Sequence, residues 1–251
     1  MDEGSEICPV EIEMDNPAIK FQEMLVQTRD QEDIYAWLLD SSDADTEVVF
    51  FHGNAGNLSI WQDFLTTIYD QPLTVLALDY RGYGKSSGSP TEKGVYLDAE
   101  ALINHFWKKI HRRHRKVIYW GRSLGGPIAA FASTIKQPHG LILESSFPSL
   151  KSLLNHYPIL KFLNFFSSYR FPTAKWLNSV NCPVLVLHGD QDRIVPLVQG
   201  QLLFQQISGK DKYIHLIRGA DHNNTHKVTP QLYWERINQF TASLKNGKNL
   251  P

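Results

Sequence analysis

Residues 121–125 read GRSLG and fit the pattern G-x-S-x-G, which places a serine at position 123. The apolar run KVIYW, residues 116–120, precedes this pattern, and a helix-compatible stretch, residues 126–135, follows it. A strand, a tight turn and a helix in this order lift the serine hydroxyl out of the edge of a sheet. Because a free serine hydroxyl is a weak nucleophile at neutral pH, the pattern also predicts an acid and a histidine further along the chain.

The composition is that of an ordinary globular protein. The chain has 251 residues, of which 42% are hydrophobic and 20% are charged, and its formal net charge is −1. This length is enough for one α/β domain with its own core. The balanced charge argues against nucleic acid as a partner. The two cysteines, Cys8 and Cys182, fit neither a C-x-x-C nor a zinc spacing, so we expect no redox role and no metal at either of them.

Strand patterns and helix patterns alternate along most of the chain. We expect residues 1–20 to be an irregular lead-in, and residues 21–28 and 33–39 to pair as an antiparallel hairpin. The strands predicted after the hairpin are 48–51, 73–78, 116–120, 140–143, 184–187 and 213–217. The predicted helices are 57–69, 91–111, 124–135, 196–207 and 229–245. The alternation predicts an α/β fold, with a mostly parallel, twisted sheet of about eight strands, an antiparallel N-terminal edge and helices on both faces.

A long connection, residues 145–180, interrupts this alternation. Aromatic residues make up 12% of the whole chain, which would give about four in a segment of this length. The segment contains eight: Phe147, Tyr157, Phe162, Phe165, Phe166, Tyr169, Phe171 and Trp176. Such an insertion at the edge of a sheet is typical of a lid, although a helix that packs its aromatic side chains into the core would show the same pattern. We predict a single domain over residues 21–251 with this connection as a lid insertion. The candidates for the substrate pocket are Tyr83, Phe147, Phe162, Phe165 and Phe166.

Loops after two later strands carry the candidate acid and the candidate base. Residues 188–196, HGDQDRIVP, contain two carboxylates, and we favour Asp192 as the acid because it lies further into the loop, just before the next helix. Asp190 is expected to cap the turn through its own backbone. The loop after the last predicted strand, RGADHNN, contains the candidate base His222, and His226 is its nearest rival.

The chain order Ser123, Asp192, His222 suits a catalytic triad. His222 would take the proton of Ser123 and return it to the leaving group, while Asp192 would hold the imidazole tautomer and stabilise the imidazolium. A tetrahedral intermediate also needs donors that are already aimed at its negative oxygen. The candidates are the backbone N–H groups of Leu124, directly after the serine, and of Asn54 in the glycine-rich loop HGNAGN.

Five motifs together resemble the α/β-hydrolase superfamily: HGNAGN at 52–57, DYRGYGKSSG at 79–88, GRSLGG at 121–126, HGDQDRIVP at 188–196 and GADHNN at 219–224. They are most similar to the small-lid serine hydrolases, a branch that includes esterases and protein depalmitoylases. The resemblance extends over roughly residues 21–245 and implies hydrolysis of an acyl substrate without a cofactor. Several members of that branch carry a membrane-anchoring N-terminal segment, whereas this sequence shows none.

We expect a serine hydrolase that cleaves carboxylic esters or thioesters through an acyl-enzyme on Ser123. The density of leucine and phenylalanine in residues 153–166 favours apolar acyl groups, in a small-molecule or lipid-like substrate. A peptidase or amidase with the same triad is one alternative, because the triad does not determine the leaving group. A non-catalytic binding protein on a hydrolase fold is another, and the intact serine, acid, histidine and glycine-rich loops argue against it.

The sequence also bears on location. Residues 1–6 are acidic and no apolar run approaches 18 residues, and we expect a cytoplasmic protein without a signal peptide or transmembrane segment. An anchor upstream of this sequence is the alternative. The basic run KKIHRRHRK, residues 108–116, could contact an anionic membrane, but a solvated helix end is the favoured interpretation. Nothing in the sequence indicates an oligomeric state.

We expect three further charged residues to have structural rather than catalytic roles. Asp79 and Arg81 lie in the loop after a predicted strand, and we expect them to form a charge pair that shapes this loop. Glu144 ends another strand near the predicted site. A buried, hydrogen-bonded carboxylate is the expected role for Glu144, rather than a catalytic one.

Overall fold

The computed structural model describes residues 7–8, 21–158 and 168–246. Within these ranges the chain forms nine strands, eight α-helices and one π-helical turn. The chain divides into two compact units, Met1–Val117 and Ile118–Pro251. The predicted lead-in, residues 1–20, contains one short strand, and its other residues lie outside the described ranges.

The strands of the first unit form an antiparallel edge that ends in a parallel pair. In chain order they are β1 (Ile7–Cys8), β2 (Phe21–Gln27), β3 (Asp33–Leu39), β4 (Thr46–Phe51) and β5 (Thr74–Leu78). Their spatial order is β1-β2-β3-β5-β4. The first three neighbouring pairs are antiparallel, and β4 pairs with β5 in parallel. β2 and β3 are the predicted hairpin. Every residue of β4 and β5 is buried, including the polar residues Thr46, Glu47 and Thr74 with which the strands begin.

Side-chain caps begin both helices of the first unit. In α1 (Leu58–Tyr69) the side chain of Asn57 accepts the N–H of Ile60, and in α2 (Glu92–His105) that of Thr91 accepts the N–H of Gly94. The helix predicted over 91–111 is α-helical only as far as His105. A π-helical turn, Phe106–Ile110, continues it, and the backbone N–H of residue 111 bonds to the carbonyl of the first residue of that turn.

Arg81 pairs with Asp98 and Asp30 instead of Asp79, contrary to the sequence prediction. Its Nε donates to Oδ1 of Asp98 at 2.9 Å, and its Nη1 donates to Oδ2 of Asp30 at 2.8 Å. Asp79 accepts the backbone N–H of Leu58 at 2.7 Å, and burial raises the pKa of this carboxyl to about 6. The prediction was wrong because Asp98 lies 17 residues along the chain and reaches Arg81 only once α2 has packed.

The basic run at residues 108–116 is partly internal. Nδ1 of His111 lies 2.6 Å from Oε2 of the buried Glu47, and Nη1 of Arg115 lies 3.6 Å from Asp40 and 4.0 Å from Glu47. The side chains of His111 and Arg115 are only 10% and 2% exposed. The interpretation as a solvated helix end is therefore wrong for these two residues, which pair with carboxylates of the first unit.

The strands of the second unit are all parallel. They are β6 (Lys116–Arg122, within this unit from Ile118), β7 (Gly140–Glu144), β8 (Val184–Gly189) and β9 (Lys212–Ile217), in the spatial order β6-β7-β8-β9. Each corresponds to a predicted strand, with ends moved by one or two residues. Because the strands are parallel, their carboxyl ends share one edge, where ligand sites of such sheets form.

In the described part of this unit, six helices connect or follow these strands. They are α3 (Gly125–Ile135), α4 (Leu150–His156), α5 (Thr173–Leu177), α6 (Leu197–Gln205), α7 (Thr225–Val228) and α8 (Pro230–Asn246). The insertion at 145–180 contains α4 and α5. α7 was not predicted from the sequence, because a helix of four residues is too short to show a periodic pattern.

The two carboxylates that hold Arg81 differ in burial, which yields a test of the first unit. Asp98→Ala should lower the free energy of unfolding by about 3 kcal/mol, because it removes a fully buried partner of a guanidinium that is itself only 6% exposed. Asp30→Ala should cost less than about 1 kcal/mol, because the Asp30 side chain is 41% exposed. Urea unfolding followed by circular dichroism measures both; equal losses would contradict this account of Arg81.

Candidate active site

Ser123 occupies a strained turn between β6 and α3. Its φ is +54°, a backbone conformation that residues other than glycine rarely adopt and that costs on the order of 1–3 kcal/mol. Three hydrogen bonds fix the turn: the Ser123 N–H donates to the carbonyl of Glu144 at 2.8 Å, and the Ser123 carbonyl accepts from the N–H of Gly126 and from Oγ of Ser146, both at 3.0 Å. The neighbouring strand and helix therefore hold the serine in place.

The strand and the helix approach each other too closely for side chains. A Cβ added to Gly121 would lie 2.2 Å from the carbonyl oxygen of Gly125. A Cβ added to Gly126 would lie 2.0 Å from Oγ of Ser146. Both distances are far below van der Waals contact, so the packing around Ser123 requires glycine at positions 121 and 126.

Asp192 and His222 are in direct contact. Nδ1 of His222 lies 2.8 Å from Oδ2 of Asp192, and the other carboxylate oxygen accepts the backbone N–H groups of Ile194 at 2.9 Å and Val195 at 2.8 Å. The Asp192 side chain is completely buried, while that of His222 is 12% exposed. Because a carboxylate only accepts hydrogen bonds, Nδ1 carries the proton, and the other ring nitrogen of neutral His222 is the basic one.

Asp190 forms a hydrogen bond different from the one predicted. Its Oδ1 accepts the backbone N–H of Gly219 at 2.7 Å, which joins the loop after β8 to the loop after β9. The expectation that it caps its own turn was wrong, because the nearest donor comes from a loop 29 residues away. His226, the rival base, lies on α7 and is 8% exposed, and its ring lies 6.4 Å from that of Tyr233 between centroids.

His188 is a second histidine beside Asp192, and sequence reasoning assigned it no role. It is fully buried, and its Nε2 lies 2.7 Å from the carbonyl of Val195 and 3.7 Å from Oδ2 of Asp192. Burial lowers the pKa of His188 below its usual value, so the ring is neutral near pH 7. Since a carbonyl only accepts, Nε2 donates to Val195, and the ring supports the backbone that anchors Asp192.

The two candidate oxyanion donors lie in different units. Leu124, in the second unit, has helical dihedral angles (φ −56°, ψ −30°) and is the N-cap residue directly before α3. Asn54, in the first unit, follows β4, and its side-chain oxygen accepts the hydroxyl of Tyr83 at 2.7 Å. The carbonyl of His52 in the same loop accepts the hydroxyl of Tyr80 at 3.0 Å. Tyr83, a predicted pocket residue, therefore contacts the loop of the predicted donor.

The described part of the insertion at 145–180 is mixed in character. Phe147, a predicted pocket residue, is 2% exposed, and Phe171 is 8% exposed, so both pack inside the protein. No residue of α4 is buried. The other predicted pocket residues of this insertion, Phe162, Phe165 and Phe166, lie outside the described residues.

The described ranges contain neither a metal-binding cluster nor a membrane-spanning helix. No group of three or more His, Cys, Asp or Glu side chains in residues 7–8, 21–158 and 168–246 is arranged to hold a metal ion. None of the helices in the same ranges combines the length and apolar character that crossing a bilayer requires.

The chain is similar to known proteins in both sequence and structure. A family model described as serine aminopeptidase, S33, matches residues 42–181. The chain is 30% identical over 232 residues to a Saccharomyces cerevisiae protein named "Uncharacterized membrane protein YNL320W", covering 90% of this chain and 81% of that protein. It is 29% identical over 245 residues to "Protein bem46" of Schizosaccharomyces pombe, covering 93% of this chain and 80% of that protein.

Solved structures are similar to this chain in fold. The Pyrococcus furiosus esterase Pf2001 matches with a TM-score of 0.75 at 18% sequence identity, covering 97% of this chain and 98% of that one. At this identity the likeness establishes the fold alone. The mostly parallel α/β fold with an antiparallel N-terminal edge, predicted from the sequence, is confirmed.

The close approach at the Ser123 turn can be tested without an activity assay. Gly121→Ala should destabilise the protein by about 1–3 kcal/mol, because the new methyl group meets backbone atoms of α3 that cannot move aside freely. Gly209→Ala is the control, since nothing lies within 4 Å of a Cβ at that position. Thermal unfolding of both variants decides the point, and a Gly121→Ala protein as stable as Gly209→Ala would show that the turn tolerates a side chain.

Proposed function

This chain belongs to the α/β-hydrolase family that the serine aminopeptidase S33 model describes, and from that premise we propose that it is a serine hydrolase of carboxylic esters or thioesters. The reaction would proceed through an acyl-enzyme on Ser123. His222 would be the general base, and Asp192 would orient its ring. A small-molecule or lipid-like acyl compound is the proposed substrate, and no cofactor takes part.

The observation that carries this proposal is the contact between Asp192 and His222 in the unit that also holds the Ser123 turn. Two backbone N–H groups hold one oxygen of Asp192, so its other oxygen faces Nδ1 of His222. The ring is thereby kept in the tautomer that a general base requires. The strained turn at Ser123 is the second support, because a nucleophile that protrudes from a sheet needs such a conformation.

The proposed chemistry runs in two halves. In the first, His222 takes the hydroxyl proton of Ser123 as Oγ bonds to the acyl carbon, and the imidazolium then gives that proton to the departing alcohol or thiol. In the second, His222 takes a proton from water, the water oxygen bonds to the acyl carbon, and Ser123 leaves with the proton. The backbone N–H group of Leu124, in the same unit as Ser123, is the proposed donor to the negative oxygen of each intermediate.

The preference for apolar acyl groups is part of the proposal. Leucine and phenylalanine are dense in residues 153–166, and a buried methylene contributes about 0.8 kcal/mol to binding in an apolar pocket. Phe162, Phe165 and Phe166 remain proposed pocket residues, whereas Phe147 is only 2% exposed and packs inside the protein. The name of the Saccharomyces cerevisiae relative includes the word membrane, which is consistent with a lipid-like substrate and with peripheral membrane contact.

Peptide or amide hydrolysis is the second candidate. It is favoured by the description of the matching family model, which names an aminopeptidase. Amines are poorer leaving groups than alcohols or thiols, so amide cleavage makes a greater demand on the acid that protonates the leaving nitrogen. A matched ester and anilide of the same acyl group distinguish the two candidates, because only the leaving atom differs.

Replacing Ser123 provides the main test. Ser123→Ala should lower kcat for p-nitrophenyl esters by about 10³-fold or more, because the acyl-enzyme no longer forms. Ser133→Ala should keep native activity: its hydroxyl lies in α3 and donates to the carbonyl of Ala129. The panel would extend from acetyl to octanoyl esters, with matched anilides and acyl-CoA thioesters. Turnover by Ser123→Ala close to the native rate would refute the serine mechanism.

The two aspartates of the loop after β8 should differ greatly in effect. Asp192→Asn should lower kcat by roughly 10³- to 10⁴-fold, because an amide at this position stabilises the wrong tautomer of His222. Asp190→Asn should cost little, because an amide oxygen still accepts the N–H of Gly219. Steady-state kinetics on folded variants measures both. A larger loss of kcat for Asp190→Asn than for Asp192→Asn would show that Asp192 is not the acid of the triad.

A further inference from the structure

Glu144, the last residue of β7, is a buried carboxylate in the second unit. Its exposure is 0%, as the sequence analysis expected. Oε2 accepts the indole N–H of Trp120 and the hydroxyl of Tyr233, both at 3.0 Å. Oε1 accepts the hydroxyl of Thr225 and lies 3.7 Å from Nε of Arg122. Both carboxylate oxygens are therefore satisfied.

So many partners are needed because an isolated carboxylate is very costly to bury. The donors come from three elements, namely β6, α7 and α8, and they converge on the end of β7. The phenol of Tyr233 is a fixed donor, since burial raises its pKa well above the usual value and keeps it protonated. A carboxylate held in this way has one orientation.

Two of these partners lead to the segment that carries His222. Thr225 follows it by three residues and bonds to Oε1 directly. Arg122, the ion-pair partner of Oε1, donates from Nη2 to the carbonyl of His222 itself at 2.9 Å. Trp120 and Tyr233, on the other oxygen, lie on β6 and α8. The segment is thus held at residue 222 and at residue 225.

The same residue also contacts the turn of the nucleophile. The backbone carbonyl of Glu144 accepts the N–H of Ser123 at 2.8 Å. Arg122 is the residue before Ser123 in the chain, and its side chain is 3% exposed. One residue therefore fixes the Ser123 turn through its main chain and the His222 segment through its side chain.

We propose that Glu144 is a positioning residue that sets the place of His222 relative to Ser123, acting through Thr225 and Arg122. The inference rests on the proposed function, in which His222 is the base for Ser123. Rates of proton transfer fall steeply with small misplacements of a base, so a shift of the His222 segment would slow the reaction even in a folded protein.

A purely structural role of Glu144 predicts a different result for the variants. If Glu144 only stabilised the fold, the loss of any one donor to its carboxylate would lower stability and leave the chemistry of the folded protein unchanged. Thr225 and Tyr233 offer a matched pair, because both are fully buried and each gives one hydroxyl to this carboxylate. Only Thr225 lies on the segment of His222.

The experiment compares Thr225→Val, Thr225→Ser and Tyr233→Phe in the full chain. The measured quantity is the second-order rate constant for phosphonylation of Ser123 by a fluorophosphonate, with the urea-unfolding midpoint of each variant. We expect Thr225→Val to react about tenfold more slowly than the native protein. Thr225→Ser, which keeps the hydroxyl, should restore the native rate. Tyr233→Phe should lower the unfolding midpoint while reacting close to the native rate.

Proton NMR of histidine-labelled protein supplies a readout that does not depend on activity. The Nδ1 proton of His222 should give a downfield signal from its bond to Asp192, which Thr225→Val weakens and Tyr233→Phe preserves. Native reactivity and an unchanged signal in Thr225→Val, or equal slowing by Thr225→Val and Tyr233→Phe, would overturn the positioning role. If the native protein does not react with the probe, the proposed function fails, and the NMR comparison alone then decides the role of Glu144.

Discussion

The backbone of Ser123, with a φ of +54°, is the constraint on which the rest of the second unit depends. A serine adopts this conformation only where its surroundings compensate for the cost. Here β6 must end at Arg122, α3 must begin at Gly125, and glycines must stand where the two pass. Hydrogen bonds from Gly126 and Ser146 hold the carbonyl of the same serine. The strain is local, and the packing that maintains it involves two strands and a helix.

Around this turn, the loops at the strand ends are joined to one another. Asp190 links the loop after β8 to Gly219 in the loop after β9. Asp192 links the former loop to His222, and Arg122 links the end of β6 to the same histidine. These hydrogen bonds join the loops to one another and hold His222 through both its ring and its backbone carbonyl.

Sequence reasoning succeeded where the signal is local. Apolar runs predicted the strands, and the G-x-S-x-G pattern predicted the tight turn at Ser123. It did not identify the partners of two charged residues: Arg81 binds Asp98 rather than Asp79, and Glu144, buried as predicted, meets Thr225 at a separation of 81 residues. No pattern along the chain encodes such pairs, because they exist only after helices and strands have packed. The sequence also did not reveal that Phe147 is buried: the aromatic-rich insertion suggested a pocket residue, but its exposure is only 2%.

The central claim is that an acyl group is carried on the hydroxyl of Ser123. The most direct measurement mixes a p-nitrophenyl ester with the enzyme, stops the reaction with acid within the first turnover, and maps the peptides by mass spectrometry. The account predicts a burst of about one equivalent of p-nitrophenol and the mass of the acyl group on the peptide that contains Ser123. Turnover without a burst, with Ser123 unmodified or with the acyl group on another residue, would contradict it.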